Sequence, residues 1–361
     1  MIRRILVVSH GAALGGSPIS ALNIARKIDP NRFRIVFAFG EDGPVAELAR
    51  KDGWPVEIVD RKGFIGISSI RRFREIVRRH QIDVVHLNTL TSYYKYPAFA
   101  AWISRKPIAW FVRENPEEKR CLRLGRYVRA FARKVVTVSY DTAAHMRYIP
   151  KEKLMTIHNG VDLDAYYPLP AEAGFARLQL EPARYITTIC SLEPRKGVLD
   201  LIDAYALARP KDCRLLIVGA DRTRERRYEQ LLKQRVSELG LDTHVIFFGE
   251  SSDILHVMAA SYCLVLASYW EGLSRVLLEG MACGKAILSS SNGGNKEQVL
   301  DGINGFTFSA GDVPTLAALM KKTEDGDLVR LQGLASRQLA EERFSIRRTN
   351  QALEQLYDSL Q

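Results

Sequence analysis

Residues 263–289 read CLVLASYWEGLSRVLLEGMACGKAILS, and the order of residue types in this stretch decides the fold class. The run Cys263 to Ala267 is short, apolar and closed by Ser268, which predicts a buried strand near 263–267. A helical segment beyond the loop ends at Gly284, and a second apolar run predicts a strand near 285–289. Strand, loop, helix and strand in that order make a parallel βαβ unit, whose ligands bind beyond the C-terminal ends of the strands. Glu271 therefore falls where a ligand is expected, and Glu279 falls on the helix that follows.

The same alternation runs outward in both directions. Strands are expected near 4–9, 33–39, 55–59, 83–88, 107–112, 134–138 and 154–158, then near 185–190, 213–219, 244–248, 263–267 and 285–289. Helical segments such as 198–208 and 224–239 lie between them, and 315–361 reads as two or three consecutive helices. A join near 165–183, where Tyr166-Tyr167-Pro168-Leu169-Pro170 precedes a Glu-, Ala- and Gly-rich stretch, divides the chain. The expected organisation is α/β: two Rossmann-like doubly wound domains, 1–168 and 169–345, facing across a cleft. A final helix at 346–361 is expected to pack back on the first. A length of 361 residues suits two cores.

Composition narrows the class. At 47% hydrophobic and 26% charged the chain is an ordinary globular one, and no apolar run approaches the ~18–20 residues of a membrane-spanning helix. Ile5 to Ser9 is too short for a signal-peptide core and reads as a first strand. Five scattered cysteines without C-x-x-C spacing support neither a disulfide framework nor a zinc site, and point to a reducing cytoplasm. The charge is asymmetric. Residues 1–168 hold 29 Lys and Arg against 16 Asp and Glu, a balance of +13, whereas residues 169–361 hold 23 against 25, a balance of −2. The excess concentrates at 71–79 and 119–134, where basic and apolar residues mix at helical spacing. An anionic membrane surface or a phosphorylated acceptor suits such helices, and so does a solvated face packing inward. No recognition signature for nucleic acid accompanies the charge.

Two further stretches carry chemistry. Gly15-Gly16-Ser17-Pro18 follows the first strand, with Ser17 as N-cap and Pro18 as first helical residue, so a helix N-terminus is presented to an anion such as a diphosphate. A glycine turn before a capped helix has the same appearance, and the spacing is not G-x-G-x-x-G. Glu271 and Glu279 would stand ~12 Å apart along a continuous helix, against the ~5 to 5.5 Å of a retaining hydrolase dyad. They are expected to make two separate hydroxyl contacts on one extended ligand.

The stretch E-G-L-S-R-V-L-L-E-G-M-A-C-G-K from Glu271, with its E-x7-E spacing, and the following S-N-G-G-N-K-E resemble the nucleotide-sugar-dependent retaining glycosyltransferases of family four. S-L-E-P-R-K-G at 191–197, H-N-G-V-D at 158–162 and the glycines at 15–16 extend the resemblance over nearly the whole chain. It implies a GT-B architecture, retention of anomeric configuration and a metal-independent mechanism with no cofactor, the nucleotide diphosphate sugar being a co-substrate. It also implies roles. Glu271 contacts the donor sugar, with Gly272, Leu273 and Ser274 beside it, and Glu279 accepts the ribose hydroxyls. Lys196, helped by Arg195, holds the diphosphate, and Gly15 and Gly16 complete the phosphate site. Glu297 matches the last residue of G-G-x-x-E, while Asn159 and Asp162 shape the interdomain segment.

Three positions depart from the family pattern. Cys190 or Ser191 stands where an Arg is usual, Lys196 being preceded instead by Arg195. Lys296 replaces a Pro. The strand Ala109 to Val112 ends in Arg113-Glu114 rather than a His. His10, Arg113 and Glu114 are acceptor-side candidates, a strand-end ion pair being the plain alternative for the last two. His86 reads as a locally satisfied strand residue, and Tyr93, Tyr94 and Tyr96 as a packed helix face. The expected activity is transfer of a sugar from a nucleotide diphosphate sugar to a carbohydrate or lipid-linked acceptor in cell-surface polysaccharide or glycolipid synthesis. The setting is cytoplasmic, at the inner face of the membrane. A GT-B epimerase or phosphorylase, or a non-catalytic nucleotide-sugar-binding subunit, is the alternative.

Overall fold

In the computed structural model, residues 2–60, 66–114, 118–223 and 225–360 are described, excepting the side chains of 118–123. The chain forms two units, Met1–Gly160 with Ile346–Gln361, and Val161–Ser345. The first holds β1 (Arg3–Ser9), β2 (Phe33–Phe39), β3 (Val56–Ile58), β4 (Val84–Leu87), β5 (Ile108–Val112), β6 (Lys134–Thr137) and β7 (Leu154–Thr156). They pair in parallel in the order β3-β2-β1-β4-β5-β6-β7. The second holds β8 (Arg184–Ile189), β9 (Cys213–Val218), β10 (Val245–Gly249), β11 (Ser261–Leu266), β12 (Ala286–Ser290) and β13 (Gly305–Phe308), in the parallel order β10-β9-β8-β11-β12-β13.

Why these runs become buried strands is visible in β1. Side chains alternate faces with period two, so Leu6 and Val8 enter one core with Phe73 and Trp110, while Ile5 and Val7 enter another with Phe33 and Tyr357. Both faces are covered by helices, which explains continuous apolar strands in place of a polar alternation. Strand order reverses between β1 and β4 in one sheet and between β8 and β11 in the other. Adjacent loops diverge at such switch points and leave a crevice.

The last helix, Ile346–Ser359, belongs to the first unit: Leu353, Leu356 and Tyr357 are buried with Ile5 and Phe33, and Asn350 Nδ2 donates to the Ile24 carbonyl at 3.1 Å. This helix also holds His86, whose Nδ1 lies 2.7 Å from the Tyr357 hydroxyl and whose ring stacks on Phe111, while its buried Nε2 has no hydrogen-bond partner among the described residues. The units divide at Gly160, upstream of the linker-like stretch beginning at Tyr166. Three helices, Val313–Lys322, Gly326–Arg343 and Ile346–Ser359, close the chain.

The sequence reading misses β13. Its four residues begin with Gly305 and sit at a sheet edge behind the turn-rich stretch 301–304, too short and too interrupted for periodicity to register. The cap on the first helix also differs. Gly15 is the N-cap of Gly16–Lys27, and Ser17 lies inside the first turn with its hydroxyl donated to the Asn88 carbonyl at 3.1 Å. The basic stretches form helices Ile67–Arg79 and Glu118–Phe131. In the former, Phe73, Ile76 and Val77 are buried and Arg71, Arg74 and Arg78 exposed; in the latter the side chains up to Arg123 lie outside the described residues. Tyr94 is buried and its hydroxyl donates to the Val8 carbonyl at 2.9 Å, while Tyr93 donates to the Val59 carbonyl, so both pack rather than line a wall.

Candidate functional site

In the second unit the loop after β8 reaches the 3₁₀ turn Pro194–Lys196, and Gly197 ends it at φ +64°. A Cβ on Gly197 would lie 2.3 Å from the Ala267 carbonyl oxygen, so the lysine turn seats on the end of β11 only because the residue is glycine. The Tyr269 N–H donates to the Arg195 carbonyl at 2.8 Å, which ties the same two loops together. The result joins residues far apart in sequence: Lys196 Nζ lies 2.5 Å from Glu271 Oε1, with the two side chains only 13% and 14% exposed. Arg195 turns instead to Glu193, Nε to Oε2 at 2.9 Å. Cys190, at the position of the departure noted above, carries a thiol that burial pushes up to about 11, so it is neutral beside Lys196.

Residues after Glu271 are fixed from behind. Gly294 donates its N–H to the Gly272 carbonyl at 3.1 Å. The buried Gln298 side chain accepts from the Ser274 N–H at 3.0 Å and donates to its carbonyl at 2.7 Å. Ser274 caps the helix Arg275–Ala282 through Leu277 N–H, and Leu273 is buried. Glu297 lies half-buried on the short helix Asn295–Gln298. Glu279 is 4% exposed, 3.3 Å from Arg275 Nε one turn earlier. Burial holds its carboxyl above the usual range against Arg275 and a hydrogen bond from the Tyr166 hydroxyl.

The first unit gathers a second group at the ends of β1, β4 and β5. His10 follows β1, and its N–H donates to the Tyr94 hydroxyl at 3.1 Å. Arg113 follows β5 and is 8% exposed; Nε donates to Asn88 Oδ1 at 2.8 Å and Nη1 to Asn159 Oδ1 at 2.6 Å. Asn88 in turn donates to the Ser17 carbonyl at 2.9 Å and hydroxyl at 3.0 Å. Arg113 is thus one amide away from the first turn that follows Gly15 and Gly16, and it forms no ion pair with Glu114, which is exposed.

Sequence reasoning overlooked Tyr166, Arg275 and Gln298 around the two glutamates and Asn88 beside Arg113, and it did not connect Asn159 with Arg113. The i,i+4 spacing of Arg275 and Glu279 was the one available signal; the others act across 24 to 113 residues of chain. The site offers cations for a diphosphate and carboxylates for hydroxyls. Among the described residues no cluster of His, Cys, Asp or Glu has the makings of a metal site.

Comparison with known proteins gives a consistent picture. Residues 173–335 match the family model described as Glycosyl transferases group 1, and residues 14–165 match Glycosyltransferase Family 4. N-acetyl-alpha-D-glucosaminyl L-malate synthase of Bacillus anthracis is 24% identical over 79% of this chain and 77% of its own length. Lipopolysaccharide 1,2-N-acetylglucosaminetransferase of Salmonella typhimurium is 29% identical over 48% of each, so the chain spans about half of that relative. The Anabaena protein HepE, solved with UDP and glucose, superposes with a TM-score of 0.89 at 25% identity, covering 99% of both chains.

Proposed function

The chain belongs to the group 1, family 4 glycosyltransferases of GT-B architecture, and on that premise we propose that it transfers a glycosyl unit, with retention and without a metal, from a nucleotide diphosphate sugar to a carbohydrate or lipid-linked acceptor. The second unit is the donor domain and the first the acceptor domain. One observation carries this reading: the Lys196–Glu271 pair at the ends of β8 and β11. Each partner is largely withdrawn from water, so only a ligand that answers both can separate them without leaving a buried charge. A diphosphate takes Lys196, and the sugar on that diphosphate gives its hydroxyls to Glu271.

Lys196 then faces the charge that grows on the departing diphosphate, and preorganised stabilisation of this kind often lowers the barrier to group transfer more than any other single effect. Arg195 adds to it on leaving Glu193. Glu279 accepts the ribose hydroxyls, with Tyr166 and Arg275 fixing its carboxyl. The acceptor oxygen attacks from the side the diphosphate leaves, and a departing phosphate oxygen takes its proton. UDP in HepE supports a nucleoside diphosphate ligand.

A peripheral position on anionic membrane, in cell-surface polysaccharide or glycolipid synthesis, completes the proposal. It is supported by a groove of about 590 Å³ in the first unit, where Arg4, Arg71, Arg74, Arg78 and Lys106 outnumber the two acidic lining residues, Glu75 and Asp83. On helix Ile67–Arg79, Arg71, Arg74 and Arg78 are exposed, whereas Arg72 and Arg79 pair with Glu57 and Glu75.

The test is a nucleotide panel followed by turnover. Thermal shift with UDP, GDP, ADP, CMP and NAD identifies the base, and matching nucleotide sugars are then assayed with and without EDTA, with the product anomer read by NMR. Glu271→Gln should retain nucleotide binding and lose turnover. Binding without turnover on any sugar would leave a binding subunit; a response to NAD alone would overturn the donor assignment.

A further inference from the structure

Strands β8, β9 and β10 of the second unit are neighbours and run parallel, so their first residues, Arg184, Cys213 and Val245, lie together at the end opposite to Lys196 and Glu271. The six residues of β8, about 17–20 Å of extended chain, separate the two ends. A cavity of about 760 Å³ opens at the far end, within the size range of small-molecule sites.

Its charge departs from that of its surroundings. Residues 169–361 carry a balance of −2, yet Arg184, Arg209, Lys211 and Arg214 line this cavity against one acidic lining residue, Asp212. Two more carboxylates stand close by: Glu181 accepts from Arg214 Nη1 at 2.8 Å, and Glu324 accepts from the Lys211 N–H at 2.9 Å. The Glu181 side chain is 77% exposed, so water screens that pair and a ligand can replace it. Arg184 is exposed and lies over the Tyr262 ring at 5.1 Å, and Arg209 gives Nη2 to the Leu239 carbonyl at 3.1 Å. Neither contact neutralises its guanidinium.

The loop that carries these cations also bears a backbone cost. Arg209 at φ +39° and Asp212 at φ +55° are both left-handed, a conformation that a Cβ disfavours. Arg209 is the C-terminal cap of helix Val198–Ala208, where glycine is the common choice, so the chain keeps a cationic side chain at a position that favours none. Strain of this kind clusters at ligand clamps. Phe175, Tyr205 and Leu241 supply an apolar part of the lining, with the Tyr205 hydroxyl turned to the Cys213 carbonyl at 2.6 Å.

We propose that this cavity is a second ligand site, separate from the donor site, which binds a soluble organic phosphate monoester. Its phosphate, with a charge of about −1.5 to −2 at pH 7, answers the arginines and Lys211. Its organic body meets Phe175, Tyr205 and Leu241.

The test titrates phenyl phosphate into the full chain by calorimetry, with inorganic phosphate and phenol as the separate halves of the probe. Wild type should bind phenyl phosphate at least tenfold more tightly than either half. Arg184→Ala combined with Lys211→Ala should weaken it tenfold or more, Arg184→Lys should keep most of the affinity, and Lys196→Ala should stay within twofold of wild type. Melting temperatures within about 2 °C of wild type, as exposed substitutions give, certify that the variants fold. No binding in wild type would overturn the site, and so would a loss in Lys196→Ala that the double variant does not share, which assigns the anion to the donor pocket. Inorganic phosphate binding as tightly as the ester would overturn the role of the organic body. Vesicles containing phosphatidic acid should not displace phenyl phosphate; displacement would make the ligand a lipid headgroup and overturn the soluble ester. None of these measurements reads sugar transfer, so failure of the proposed function leaves each outcome as it stands.

Discussion

Replacing Gly197 by alanine tests how the lysine turn is seated. Two costs add at this residue. Its φ of +64° is left-handed, which a Cβ penalises by about 1–2 kcal/mol. The new Cβ would also stand 2.3 Å from the Ala267 carbonyl oxygen, a buried backbone atom that moves only with the end of β11. Forcing a methyl into packed structure costs about 1–3 kcal/mol. Gly240 provides the control, because its φ is +63° and nothing lies within 4 Å of its Cβ position, so Gly240→Ala bears the first cost alone. At roughly 3 °C per kcal/mol for a unit of this size, Gly197→Ala should melt roughly 3–9 °C below Gly240→Ala. Calorimetry of the two variants reads the difference directly. Nucleotide affinity should fall in Gly197→Ala only, because the Lys196–Glu271 pair depends on the same contact. Equal melting temperatures for the two variants would refute the close approach as the reason for glycine.

Other expectations follow from the same geometry. The Glu279 carboxyl has a raised pKa through burial, so the native state binds more protons than the unfolded chain across the carboxylate range and stability falls as pH rises through it. Glu279→Gln removes that dependence; melting curves from pH 4 to 7 should show the variant gaining on wild type as pH rises, and a constant gap would contradict the assignment. Gly219→Ala would place a Cβ 1.8 Å from the Cys190 carbonyl oxygen at φ +138°, and should leave little soluble folded protein in an expression trial. In a Cys121→Ser background, native thiols should react slowly at pH 8, since burial pushes Cys190 and Cys213 up to about 11 and Cys283 up to about 12; labelling as fast as in denaturant would be inconsistent with these environments. Liposomes containing anionic lipid should sediment the protein at low salt, and Arg71→Glu with Arg74→Glu and Arg78→Glu should release it; indifference to the triple change would remove helix Ile67–Arg79 from the contact.

Much of the fold was legible because strands such as Ile5 to Ser9 and Cys263 to Ala267 announce themselves over five residues, and helix Val198–Ala208 by its own periodicity. β13 was not, because at a sheet edge a four-residue run beginning with glycine needs no continuous apolar signal. Of the candidate site, Glu271, Glu279 and the lysine turn were readable as residue types after strands. Their partners were less so: Ser17 looks like a cap, yet Asn88 engages its hydroxyl and the cap passes to Gly15.

By itself, then, the sequence determined what depends on neighbours in the chain: the alternation of strands and helices, the strand-end loops that carry polar residues, and the uneven charge of the two halves. Only the tertiary structure decided which of those residues meet. β8 and β11 become adjacent through the sheet order, and that adjacency closes Lys196 on Glu271 across 75 residues. The docking of Ile346–Ser359 gives His86 the hydroxyl of Tyr357 across 271. Arg113 was a strand-end basic residue in the sequence, and folding gave it amides in place of a carboxylate. Local periodicity records which face of an element is apolar. The partner of a polar group is set by strand order and helix docking, which bring distant residues within the ~3 Å reach of a hydrogen bond and leave no mark on either residue's own neighbourhood.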